Sequence, residues 1–204
     1  MTQAEPLLCG IDEAGRAPLA GPVVAACVIV RQVTLEQNPA LSAINDSKAI
    51  SRSKREALAD ILIECCAYGI AGASVEEIDD MNIHHASLLA MQRACQAMCT
   101  DFDVAPDYCN IDGKFVPDNL PCPAEALIKG DARCRHIGAA SILAKVHRDR
   151  HMGELDRDYP GYGWARNAGY PTREHITALH EHGITPHHRQ SFAPVRQLGL
   201  PLGA

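Results

Sequence analysis

The sequence predicts an α/β fold: a mixed sheet with helices on its faces and a helical C-terminal region. Three observations carry that expectation. Two short apolar runs bounded by Gly or Pro open the chain, LLCGID (7–12) and PVVAACVIV (22–30). Helical and strand-like patterns then alternate. The last third is helical, ending in a basic tail.

The two opening runs read as strands, separated by nine residues of turn-like sequence and able to pair as neighbours. INDSKAIS (44–51) reads as a polar loop. Ser53 with Glu56 has the capping-box spacing, which predicts a helix over 53–67 with Leu58, Ile61, Leu62 and Cys65 on one face. YGIAGAS (68–74) reads as a third strand. Ser74 and Glu77 repeat the capping pattern before a short helical turn, and Ile83, Leu88, Met91, Cys95 and Met98 give helical spacing over 82–99. DYCNID (107–112) reads as a strand, the proline-rich 115–123 as a loop, and AEALIKGD (124–131) as a short strand. A strong helix is predicted over 136–156, a Gly/Pro/aromatic loop over 158–172, and a final helix near 172–182.

The 204 residues suit one domain or one domain with an appendage, and a hydrophobic fraction of 47% supplies a core. No apolar run approaches the roughly 20 residues of a membrane span, and MTQAEPLLCGIDEAG has no signal-peptide pattern. The nine cysteines form no CxxC pair and match no zinc spacing. Cys27, Cys65, Cys95 and Cys99 sit in apolar sequence, so free, buried thiols in a reducing, cytoplasmic compartment are expected. The formal net charge of −6 is unevenly spread. Residues 1–127 carry 8 Lys/Arg against 18 Asp/Glu, and residues 128–196 carry 11 against 7, with eight of the ten histidines. A basic C-terminal third suits a polyanion. Ordinary solvated surface is the other reading.

Three predicted strands end in acids: Asp12-Glu13, Asp112, and Asp131 after AEALIKG. Ligand and catalytic groups of α/β proteins collect at strand ends. If these ends adjoin, four carboxylates converge, and their repulsion asks for cations. Oxygen donors of this type suit Mg²⁺ or Mn²⁺, and two such ions roughly 4 Å apart activate water and hold a scissile phosphate. Taken singly, Asp112-Gly113 also reads as a turn, Asp131 as a helix cap, and Asp12-Glu13 as solvated turn charges. Spacing alone leaves these readings open.

The stretches GIDEAGRAPLAGPVVAA (10–26), NDSK (45–48), DDMNIHHASLLAMQRA (79–94), IDG (111–113), KGD (129–131), AASILAKVHRDR (139–150), NAGYPTREH (167–175) and HHRQSFAPV (187–195) occur in that order. Together they resemble the bacterial ribonuclease HII (type 2 ribonuclease H) family over nearly the whole chain. The resemblance implies a ribonuclease H-like mixed central sheet flanked by helices. It implies a catalytic domain over 1–157, with a helical region over 158–204 packed on it and contributing to substrate binding. It implies Mg²⁺ or Mn²⁺, held by Asp12, Glu13, Asp112 and Asp131 as the four catalytic acids. The implied activity is cleavage of the RNA strand of RNA–DNA hybrids, and of duplex DNA on the 5′ side of single embedded ribonucleotides, leaving a 3′-hydroxyl and a 5′-phosphate. Gly15-Arg16-Ala17 matches the family turn that reads the 2′-hydroxyl through backbone groups. Tyr170 matches a sugar-contacting tyrosine, and Lys48, Ser141, Lys145 and Arg148 match phosphate-facing segments. For Lys145 and Arg148, solvated helix surface is the other reading.

Three positions depart from the family pattern. Ala17 stands where the second glycine of the turn is usual, harmless if that residue keeps a negative φ. Ala168 replaces a common lysine, and Lys114 a frequent asparagine. The readings set against a ribonuclease H are another nuclease of the same fold, a catalytically silent nucleic-acid clamp, and a hydrolase of small phosphate esters. The histidine pairs match no zinc pattern, so metal storage is set aside. The expected partners are nucleic acid only, with a monomeric chain and no membrane. The tail QLGLPLGA has no obvious sliding-clamp peptide, and a clamp is left open without support from these residues.

Overall fold

A computed structural model of the chain describes residues 6–46 and 50–199, with the side chains of 45, 46 and 199 left aside. Lys48, the first five residues and the end of the tail lie outside this range. Five strands form one sheet: β1 (Leu8–Ala14), β2 (Val23–Ile29), β3 (Ala67–Ala73), β4 (Tyr108–Asp112) and β5 (Ala124–Leu127), in the order β3-β2-β1-β4-β5. The first three pair antiparallel, while β4 and β5 run parallel to β1. The helices are α1 (Gln32–Gln37), α2 (Arg52–Cys65), α3 (Val75–Phe102), α4 (Arg135–Asp158), α5 (Trp164–Asn167), α6 (Arg173–His182) and α7 (Ala193–Gly199).

The sheet separates two apolar layers. One face packs Cys9, Ile11, Cys27 and Ile111 against Ala90, Ala94, Cys95 and Met98 of α3. The other packs Ala26 and Val28 against Leu58 and Leu62 of α2 and Ala140 and Leu143 of α4. The α4 backbone lies so close to β1 that a β-carbon at Gly10 would overlap residues 136 and 137. That contact sets α4 directly behind the strand that ends in Asp12. A third cluster (Leu19, Met152, Leu155, Trp164, Leu179 and Val195) joins the C-terminal helices to the loop after β1.

Several elements differ from the sequence expectation for physical reasons. The cap of α2 is Ser51, whose side chain accepts from Lys54 N–H, and not Ser53. Cys65 is exposed, on the outer side of α2, and Cys99 is half-buried at the margin of the core between α3 and the sheet. Residues 39–46 wind into a 3₁₀ turn, and α1 precedes it without a capping side chain to announce it. The box of Ser74 and Glu77 forms in full. The helix it starts bends at Asn82, where φ is 69° and Oδ1 accepts from the N–H groups of His84 and His85, restarting the helix over the predicted stretch. Finally, β5 stops at Leu127. Lys129 turns left-handed, and Asp131 lies in a 3₁₀ turn after the strand rather than at its end. Among the described residues no helix is long and apolar enough to cross a membrane.

Candidate active site

The parallel register pairs Ile11 with Ile111, so Asp12 and Asp112 leave the sheet side by side. The chain returning from β5 closes on them: Gly130 N–H donates to Asp112 Oδ1 at 2.7 Å, and Asp131 N–H reaches the same oxygen at 3.4 Å. Asp131 is buried beside them. Asp12 is buried too, with Oδ1 accepting from Glu13 N–H at 2.7 Å. Ser141, on the face of α4 behind β1, hydrogen-bonds its carboxyl. Burial pushes the Asp12 carboxyl well above the usual carboxylate range, and Glu13 and Asp112 push it further. Glu13 is raised by burial and by Asp112, against the pull of Arg16, whose guanidinium stands 3.3 Å from Oε1.

These side chains fit a hard cation. The donors are all oxygen, and at least two of them are acids that burial and mutual repulsion leave electrostatically short of positive charge. Glu13 Oε2 is buried without a hydrogen-bond partner. A divalent ion would satisfy that oxygen and cancel the repulsion together, and the chemistry of the set is that of Mg²⁺ or Mn²⁺.

Beside the acids opens a cavity of about 460 Å³, lined by Glu13, Gly15, Arg16, Ala17, Ser141, Lys145 and Tyr170 among others. So six of the eight residues singled out for substrate contact share one concavity. Ala17 is exposed and is not among the residues of positive φ, whereas Gly15 is, at +98°. The alanine departure therefore leaves the turn undistorted. Tyr170 is 40% exposed, with Lys145 Nζ 5.9 Å from its ring centre. Lys145 also pairs with Asp149 at 2.7 Å. Arg55 lines the same cavity, an assignment the sequence analysis missed. Its signal was weak: one basic residue in the first turns of a helix that follows NDSK.

Arg148 does not face phosphate. It is fully buried and donates to the carbonyls of Pro22, Ala168 and Ala20 at 2.9, 2.9 and 3.0 Å. Both readings offered for it, phosphate contact and solvated surface, are corrected, because its position on α4 points into the loop after β1. A β-carbon at Gly15 would overlap its guanidinium, so that position admits glycine for space as well as for φ. Arg189 was also missed. Fully buried, it donates to the carbonyls of Gly15, Arg16, Pro18 and Gly21 at 2.6 to 3.1 Å. Burial lowers Arg148 to about 10 and Arg189 to about 9, leaving both charged near neutrality. The two guanidiniums thus hold the 15–22 turn from behind.

Tyr170 has its own support. Thr185 N–H donates to His188 Nδ1 at 2.9 Å, so the His188 proton sits on Nε2 and points at His175 Nε2, 3.0 Å away. That nitrogen also accepts from Trp164 Nε1 at 3.1 Å. His175 must then carry its proton on Nδ1, donating to the Tyr170 carbonyl at 3.0 Å. One tautomer pair satisfies the chain, with both rings neutral.

The family described as Ribonuclease HII matches residues 9–195. A Ribonuclease HII from Magnetococcus marinus is 54% identical over 191 residues, covering 94% of this chain and 86% of the relative. Ribonuclease H2 from Pyrococcus horikoshii OT3 shares the fold with a TM-score of 0.75 at 24% identity, covering 94% of this chain and 96% of that one. Bst-RNase HIII in complex with Mn²⁺ shares it with a TM-score of 0.74 at 17% identity, covering 95% and 69%.

Proposed function

This chain belongs to the ribonuclease HII family, hydrolases that cut the RNA strand of RNA–DNA hybrids, and from that premise we propose that it also cuts duplex DNA on the 5′ side of a single embedded ribonucleotide. The reaction is two-metal-ion hydrolysis leaving a 3′-hydroxyl and a 5′-phosphate. Asp12, Glu13, Asp112 and Asp131 hold Mg²⁺ or Mn²⁺, which when bound lowers the pKa of water and offsets phosphate charge. Ser141 and the Glu13 N–H fix the Asp12 carboxyl, so the acids need little rearrangement when substrate arrives.

The Gly15-Arg16-Ala17 turn checks the ribose. A 2′-hydroxyl both donates and accepts, so one backbone N–H and one carbonyl are enough to test for it. Arg189 already occupies one lone pair on each of the Gly15 and Arg16 carbonyls, and each keeps a second. The Tyr170 ring lies against the next sugar and crowds out a second 2′-hydroxyl, selecting the RNA-to-DNA junction. Lys145 and Arg55 face backbone phosphates. In this reading residues 1–157 carry the chemistry, and the C-terminal region contributes Tyr170 and the Arg189 clamp.

The observation that carries the proposal is the shared cavity, which sets the turn, Lys145 and Tyr170 beside Glu13. The test uses labelled duplexes with Mg²⁺: DNA with one ribonucleotide, all-DNA, and a full RNA–DNA hybrid. A cut 5′ to the ribonucleotide, absent from all-DNA and abolished by chelator, is the expected result. Cutting of the hybrid alone would remove the junction-reading role of the turn and Tyr170.

A further inference from the structure

The face of the sheet opposite α4 holds a second cluster of ligand atoms, none of which the acid site uses. Cys9 of β1, Cys27 of β2 and Cys95 of α3 bring their sulfurs within 4.8 Å of one another. All three are free and fully buried. Register builds the cluster. Ile11 pairs with Cys27, so Cys9 lies two residues along on the same face. The parallel pairing sets Cys9 directly beside the buried Cys109 of β4. Hydrogen bonds with the thiols of Cys27 and Cys9 draw Cys109 down to about 6, against its burial.

Buried cysteines usually act as small apolar side chains. Here three donors already stand at the spacing of one coordination shell. With metal–sulfur bonds of about 2.3 Å, a trigonal ion needs sulfurs about 4 Å apart. The trio includes neither carboxylate nor imidazole, so it favours soft ions and disfavours Mg²⁺ and Mn²⁺. We propose that Cys9, Cys27 and Cys95 form a binding site for a thiophilic d¹⁰ cation of the Cu(I) type, separate from the carboxylate site. Each thiol that ligates releases its proton to solvent, so uptake is accompanied by acidification. Half-buried Cys99, one turn beyond Cys95, and half-buried Cys122 interact with the inner thiols and mark the way in from the surface. The ion would tie β1, β2 and α3 together behind the strand that carries Asp12 and Glu13.

The test titrates the reduced full chain, without oxygen, with Cu(I) supplied as its acetonitrile complex, and with Mg²⁺ in parallel. Thiolate-to-metal charge-transfer absorption and proton release are followed. One Cu(I) per chain should saturate the absorption, with none from Mg²⁺. A variant with Cys65, Cys66, Cys99, Cys122 and Cys134 all replaced by Ala should keep that one equivalent while taking it up more slowly. Cys95→Ala should weaken binding at least tenfold. If Cys95→Ala does not fold, the outer-thiol variant decides alone. Loss of the signal in the folded outer-thiol variant, or no charge-transfer band in the wild type, would overturn the proposal.

Discussion

Two sets of like charges are buried within a few residues of each other, and they are handled in opposite ways. At the acids, Glu13 Oε2 has no hydrogen-bond partner, and both Asp12 and Glu13 are raised by burial and by neighbouring carboxylates. Arg148 and Arg189 are buried as deeply, yet they donate to carbonyls from Gly15 to Pro22 and at Ala168. Burying charge is costly unless it is hydrogen-bonded. The guanidiniums meet that condition within the chain and shape the backbone. The carboxylates meet it only in part: Asp12 and Asp112 accept backbone N–H bonds and Glu13 pairs with Arg16, yet Glu13 Oε2 keeps no partner and the acids still repel one another. The partly satisfied cluster is the one whose chemistry suits a cation, and the fully satisfied one is the frame.

The contrast breaks hardest at the acids. Asp112→Asn should lower turnover on a hybrid by orders of magnitude while duplex binding in Mg²⁺ stays largely intact, measured by single-turnover cleavage beside a gel-shift titration. Near-normal turnover would take Asp112 out of the site. Next comes the frame. Arg189→Ala removes the donor from the Gly15, Pro18 and Gly21 carbonyls, whose bonds to it are buried, and from the part-buried Arg16 carbonyl. Each buried one is costly when left unpaired, so urea unfolding should show a loss of at least about 3 kcal/mol. Cleavage at a single ribonucleotide should fall more than cleavage of a hybrid. Equal losses would mean the clamp serves stability alone.

Acid probes the frame more gently. His188 is lowered from 6.5 to about 4, chiefly by burial. The unfolded chain therefore takes up this proton first, and the contribution is intact above about pH 6.5 and lost as pH falls toward 4. Its full size is about 3 kcal/mol. Thermal unfolding from pH 7.5 to 4.5 should show that loss, and His188→Gln, already weaker at neutrality, should flatten its dependence. A His188→Gln profile parallel to the wild type would break the neutral-tautomer account. The smallest effect belongs to Ala17→Gly. Because Ala17 already sits at negative φ, cleavage at a single ribonucleotide should change by less than about tenfold, roughly 1.4 kcal/mol. A larger gain would show that the methyl obstructs the turn.

The sheet and its flanking helices were legible because each is written locally, in apolar runs and capping pairs, whereas the four acids were named through the motifs that hold them, strand-end spacing alone having left turn and cap readings open. Even so, Asp131 reaches the site through the left-handed Lys129 and a bond from Gly130 N–H, which no strand pattern announces. Arg148 read as a basic residue on a basic helix, since burial of a charge depends on carbonyls 20 and 126 residues away. Arg189 escaped for the same reason. The thiol trio escaped because its members come from three elements, where linear spacing carries no signal.

The bond from Arg189 to Gly15 spans 174 residues of chain. During synthesis, Asp12, Glu13 and Gly15 leave the ribosome well before Arg189. Long-range closures of this kind form late. A growing polypeptide therefore holds Asp12 and Glu13 long before the neighbouring turn takes its shape, and in the proposed reading that turn can test a ribose only once the segment around Arg189 has been made.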